Sequence, residues 1–154
     1  MELALPKDFK EFLSLLKSHG VRYLLIGGHA VAYYGYPRAT GDLDIWIAVD
    51  PENATRTVEA IREFGFDTPQ LSPGFFLEDR SMVRMGEPPL RIEVLTVVSG
   101  IAFEDAYSDR EEVVLDGEEI SLISLRDLLT NKRASGRPKD LADLDFFSRQ
   151  ERQK

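Results

Sequence analysis

Apolar residues recur at helical spacing at Phe9, Phe12, Leu13, Leu15 and Leu16. They predict a first helix with Asp8 as its cap and Gly20 as its stop. Arg22 to Ile26 reads as a short buried strand that ends at Gly27-Gly28. His29 to Tyr34 reads as a two-turn helix closed by Gly35 and Pro37. Asp42 to Val49 is a second strand, with Ile45, Trp46, Ile47 and Val49 supplying the β character. Asp50-Pro51-Glu52 combines a cap, a first-turn proline and an acid at the positive end of the dipole. The helix it starts runs to about Phe64 and stops at Gly65.

The second half of the chain changes period. Leu71 to Phe76 is irregular, and Ser81 to Met85 and Leu90 to Val97 read as an antiparallel hairpin around Gly86-Glu87-Pro88-Pro89. Val113 to Leu115 and Glu119 to Ile123 form another hairpin around Asp116-Gly117. Ser124 caps a helix from Leu125 to about Lys132, and Pro138 opens the last one, Lys139 to Phe147. Ala134 to Arg137 is the turn between them. The whole predicts an α/β (α+β) fold: a mixed sheet, helices packed mainly on one face, and two helices closing the chain. Residues 1–148 read as one domain and 149–154 as a polar, frayed tail.

Composition narrows the class. With 154 residues, 43% hydrophobic and 30% charged, the chain suits a single globular domain with a real core. There is no cysteine, no signal-peptide pattern at the N-terminus and no apolar run near the roughly 20 residues of a membrane helix. The expected location is the cytoplasm, with no membrane partner. A net charge of −8 argues against general affinity for polynucleotides, though not against a local basic groove.

Chemistry concentrates in one segment. Leu24-Leu25-Ile26-Gly27-Gly28 is followed after 13 residues by Asp42-Leu43-Asp44-Ile45. On a strand, Asp42 and Asp44 project to the same face, while Leu43 and Ile45 point into the core. Neighbouring carboxylates repel, and a hard divalent cation with oxygen ligands relieves that repulsion. Asp143-Leu144-Asp145 repeats the letters in a helical segment, where positions two apart diverge, so no metal site is expected there. The glycine pair lets backbone approach a ligand and exposes amide donors, or is an ordinary tight turn. Glu93 is a lone acid in the apolar strand Arg91-Ile92-Glu93-Val94-Leu95. It is either a third metal ligand or a strand glutamate paired with Arg91 or Arg84.

Together, Ile26-Gly27-Gly28, Asp42-Leu43-Asp44-Ile45 and Glu93 resemble the signature of the DNA polymerase β-like nucleotidyltransferase superfamily. The stretch GGHAVAYYGYPRATGDLDIWI and the tail NKRASGRPKDLADL are similar to small bacterial nucleotidyltransferase-like proteins, including the toxin side of abortive-infection toxin–antitoxin pairs. The likeness touches roughly residues 9 to 147. It implies the nucleotidyltransferase fold and a cytoplasmic enzyme moving an NMP from an NTP to an acceptor (RNA, a small molecule or a protein), with release of pyrophosphate. It further implies that Asp42 and Asp44 hold two Mg²⁺ (or Mn²⁺) ions and Glu93 the one beside the nucleophile. An antitoxin partner is implied for the toxin-type members. Two departures favour the alternative of a weak or inactive binding module. Gly28 lacks the hydroxyl that many members supply from serine, and Glu93 stands where aspartate is common.

Supporting residues have two readings each. Arg38 and Thr40, in the loop before Asp42, could reach a triphosphate oxygen, or Arg38 could simply counter the acids. Lys132, with Arg133, Arg137 and Lys139, could meet phosphates or an RNA acceptor, or form a solvated basic turn. Lys132 is the strongest phosphate candidate because it lies on a helix. His29 reads as a packed side chain or a phosphate contact, Asp140 and Asp143 as capping and surface residues, with Asp140 alternatively a partner for Lys132 or Arg137, and Tyr33, Tyr34 and Tyr36 as aromatic core or a surface for base stacking.

Overall fold

The computed structural model describes residues 5–36 and 41–152. Helix α1 (Lys7–Ser18) buries Phe9, Phe12, Leu13 and Leu16, the stripe its spacing predicts. It starts two residues earlier than expected, after Pro6, so Asp8 sits in the first turn instead of capping. Strand β1 (Tyr23–Ile26) is buried along its whole length. Helix α2 (Gly27–Tyr33) begins at the glycine pair itself, two residues before the predicted start. Strand β2 (Leu43–Ile47) begins just after Asp42.

Helix α3 (Pro51–Phe64) uses the predicted signals. The Asp50 side chain accepts from Asn53 N–H at 2.8 Å, Pro51 opens the helix, and Gly65 closes it at φ 108°. Such a cap is worth about 1 kcal/mol. The α1 and α3 helices pack on each other, with Phe12 edge-on to Phe64 at 5.3 Å between ring centres.

Strands β3 (Met82–Met85) and β4 (Ile92–Leu95) form the first hairpin, and β5 (Glu111–Leu115) and β6 (Glu118–Leu122) the second. Asp116 and Gly117 turn the second at φ 48° and 83°, the paired positive values of a tight hairpin turn. Among the described residues the strands build one mixed sheet in the order β3-β4-β2-β1-β6-β5. The β1–β2 pairing is antiparallel, and β2–β4 and β1–β6 are parallel. The mixed α/β class therefore holds.

Two elements have no counterpart in the sequence reading. Helix α4 (Phe103–Ser108) was not predicted, being too short to show a period. Its Phe103 meets Trp46 edge-on at 5.2 Å, and Trp46 Nε1–H donates to the Thr96 carbonyl at 3.1 Å. Trp46 thus lies on the Asp44 side of β2 and is still buried, because α4 covers that end of the sheet. A 3-10 turn, Pro73–Leu77, occupies most of the irregular segment and buries Phe76.

The closing helices α5 (Leu125–Ser135) and α6 (Pro138–Arg152) both run longer than expected. Gly136, at φ 60°, ends α5. Residues 149–152 are helical, not frayed, and an Arg149–Asp145 ion pair of 3.0 Å spans one turn there. Among the described residues no helix is long and apolar enough to cross a membrane.

Candidate active site

Strand register builds the site. Asp44 lies opposite Ile26 across the antiparallel β1–β2 pair and opposite Glu93 across the parallel β2–β4 pair. Leu43, Ile45 and Ile47 project the other way and are fully buried, which holds β2 in that register. One step before the Leu43↔Ile92 pair, Asp42 falls beside Arg91, and Leu43 N–H donates to the Arg91 carbonyl at 2.8 Å.

Gly27 has a nearer task than ligand approach. Its φ is +72°, and a Cβ there would collide with Asp44 Oδ2 and lie 2.9 Å from Asp44 Cγ. Only a residue without a side chain lets the Asp44 carboxylate rest against this backbone. Gly28 is buried in the first turn of α2. His29 packs edge-on against Phe9 at 5.5 Å, as expected for a packed side chain, and burial lowers its pKa while Asp42 partly offsets the shift.

The acids are unequally satisfied. Arg84 Nε donates to Glu93 Oε1 at 2.9 Å, and the Glu93 side chain is only 15% exposed. Arg91 grips Asp42 with Nη2 at 3.2 Å from Oδ2 and Nε at 3.4 Å from Oδ1. Asp44 hydrogen-bonds Glu93 instead of a cation. Burial first, then the Glu93 charge and that hydrogen bond, push its pKa from 3.8 up to about 7; Lys139 offsets this only in part.

The acids open onto a cleft of about 910 Å³. The glycine pair and β2 form its floor, Arg84, Arg91 and Glu93 one wall, and the α5–α6 turn with Arg137 and Lys139 the other. Gly41 also lines it, with its backbone against the Pro89 carbonyl, so a side chain there would clash.

The donor set suits a hard cation. Asp44 and Glu93 stand side by side, and burial with the Glu93 charge disfavours the Asp44 carboxylate, a penalty that a divalent ion with oxygen ligands removes. Asp42 lies on the same face, but its carboxylate is turned to Arg91. Among the described residues, no three His, Cys, Asp or Glu side chains are therefore already assembled around one point. The residues fit a divalent ion once Arg91 gives up Asp42.

A family profile described as nucleotidyl transferase of unknown function (DUF2204) matches residues 6–154. The chain belongs to this nucleotidyl transferase family. A crystal structure of a Thermotoga maritima protein, provisionally described as a nucleotidyltransferase, superposes with a TM-score of 0.57 at 15% identity, over 95% of this chain and 91% of that one. At that identity the likeness shows the fold alone. A search of curated proteins finds no match.

The structure departs from the sequence reading most at Lys132. It is 3% exposed, and its Nζ lies 3.1 Å from both Asp140 Oδ1 and Asp143 Oδ2. Both carboxylates are buried as well, not at the surface as expected. Arg137 and Ser135 add hydrogen bonds of 2.7 and 2.6 Å to Asp140. Burial pushes the Asp140 carboxyl up, but hydrogen bonds from Arg137, Ser135 and Lys132 outweigh it and hold the group well below the usual carboxylate range. Lys132 borders the cleft, yet its charge is committed to tying α5 to α6.

The two acids of the helical Asp143-Leu144-Asp145 diverge, as their spacing predicts: Asp143 is buried, while Asp145 is exposed and pairs with Arg149. Arg38 and Thr40 lie outside the described residues. Arg91 was considered only as a partner for Glu93. Its position two residues before Glu93, on the same strand face, was the available signal that it would stand beside Asp42.

Proposed function

We propose that the chain transfers a nucleoside monophosphate from an NTP to a hydroxyl-bearing acceptor and releases pyrophosphate. The observation that carries the reading is the Asp44↔Glu93 register beside Gly27, which places two adjacent acids in a cleft that basic side chains also line. Asp42, Asp44 and Glu93 would hold Mg²⁺ or Mn²⁺. When bound, such ions neutralise the phosphate charge and stabilise the attacking and leaving oxygens.

The side chains then have separate tasks. Glu93, steadied by Arg84, is the group to take the acceptor's proton as the oxygen bonds to the α-phosphorus. The bond from that phosphorus to the β-phosphate bridging oxygen breaks, and pyrophosphate carries the electron pair away. Arg137 and Lys139, across the cleft, supply positive charge to the phosphates. The family membership supports nucleotidyl transfer in general.

One observation favours a second reading, nucleotide binding without turnover: Asp42 is held by Arg91 and not presented with the other two acids. Incubating the protein with Mg²⁺ and each labelled NTP separates the two. Pyrophosphate release that disappears in Asp42→Ala supports transfer; saturable NTP binding with no release over long incubation supports the binder. For a toxin role of the same site, growth arrest on expression should vanish in Asp44→Ala, and equal toxicity of that variant would remove the idea.

A further inference from the structure

The two arginines beside the acids are not equivalent. Arg84 is 56% exposed and reaches a glutamate that already shares a hydrogen bond with Asp44. Arg91 is 32% exposed, is anchored through its own carbonyl to the first residue of β2, and covers both Asp42 oxygens. Those oxygens are what a divalent ion needs from Asp42, and a guanidinium spread over both leaves neither with its full charge for a second cation. The contact lies one residue before the paired ends of two adjacent parallel strands, whose register sets the two residues beside each other.

We infer that Arg91 is a built-in counter-cation that occupies Asp42 and competes with divalent metal for it. The inference rests on the proposed cation site at Asp42, Asp44 and Glu93. Arg91 then sets how tightly the empty enzyme takes a free ion. It keeps the acid cluster partly neutral when no ion is present, and an ion can engage Asp42 only as the guanidinium lets go. A residue that merely braced the Asp42 backbone would act in the opposite sense, because its loss would loosen the ligand and weaken the ion.

The test is calorimetric titration of Mn²⁺ alone into the chelator-treated full chain, for the wild type, Arg91→Met, Arg91→Gln and Asp44→Asn. Arg56→Met on α3, which removes one positive charge away from the cleft, controls for net charge. Arg91→Met should bind Mn²⁺ about fivefold more tightly than the wild type, the scale on which a partly exposed ion pair competes. Arg91→Gln should move the same way, Arg56→Met should not move, and Asp44→Asn should lose the site.

Unchanged or weaker binding in both Arg91 variants, with wild-type binding intact, overturns the inference and leaves the proposed function standing. A shift of equal size in Arg56→Met also overturns it, since the effect would then be net charge. No binding in the wild type, with binding gained in the Arg91 variants, supports it in stronger form. If neither the wild type nor the Arg91 variants bind above the Asp44→Asn level, the inference falls together with the reading beneath it.

Discussion

Replacing Asp44 by asparagine removes one charge and almost no volume. The structure gives the effect a sign and a size. The folded Asp44 carboxyl sits at about 7 against an ordinary 3.8, chiefly through burial and then through Glu93. A raised carboxyl pKa means the folded state holds its proton more tightly than the unfolded chain does. The associated stability is fully present below 3.8 and is lost as pH rises through about 7. Between pH 5 and pH 8 the wild type should therefore lose about 2 to 3 kcal/mol from this group, at about 1.4 kcal/mol per unit. Asp44→Asn cannot titrate and keeps a donor for Glu93, so it should lack that loss. The assay is urea unfolding of both proteins in EDTA at pH 5, 6, 7 and 8. The wild type should fall behind the variant progressively as pH rises, and saturating Mg²⁺ should close the gap. Parallel pH profiles for the two proteins in EDTA would show that Asp44 is not the strained acid described here.

Two further substitutions probe the scaffold. Gly27→Ala puts a Cβ into the Asp44 carboxylate at a left-handed φ, and should cost about 2 kcal/mol or more in urea unfolding while displacing the acid from its place; unchanged stability would mean that Gly27 does not make room for Asp44. Lys132→Met strips the cation from two buried carboxylates and should destabilise by about 3 to 5 kcal/mol. If that variant keeps its stability and loses only NTP affinity, Lys132 is a phosphate ligand after all and its placement in the α5–α6 knot is wrong.

The site was more legible in the sequence than the framework around it. The alternation of Asp42, Leu43, Asp44 and Ile45 sets which side chains leave the core together, and a lone glutamate between Ile92 and Val94 announces a polar task. These are local rules of a strand, and the structure keeps them. What a single strand cannot declare is its neighbour. That β2 runs parallel to β4, with Asp44 level with Glu93 and Asp42 level with Arg91, is a non-local fact, and it decides which arginine meets which acid.

The burial of Lys132 between two acids was hidden for the same reason. A basic run near a helix end looks solvated until α6 is packed against α5. Asp140 and Asp143, three apart, share one helix face, and that face meets the last turn of α5. The short α4 helix left no periodic trace. Its presence nevertheless settles why Trp46 can share a strand face with Asp44 and stay dry.

The proposed chemistry depends on Asp44 and Glu93, with Asp42, forming a divalent-cation site for a nucleoside triphosphate. Anomalous diffraction from crystals grown with Mn²⁺ and a non-hydrolysable NTP analogue tests it most directly. A manganese peak touching Asp44 and Glu93 is expected, with Asp42 swung off Arg91 and the triphosphate running toward Arg137 and Lys139. Manganese absent from these carboxylates, with the analogue bound elsewhere or not at all, would contradict it.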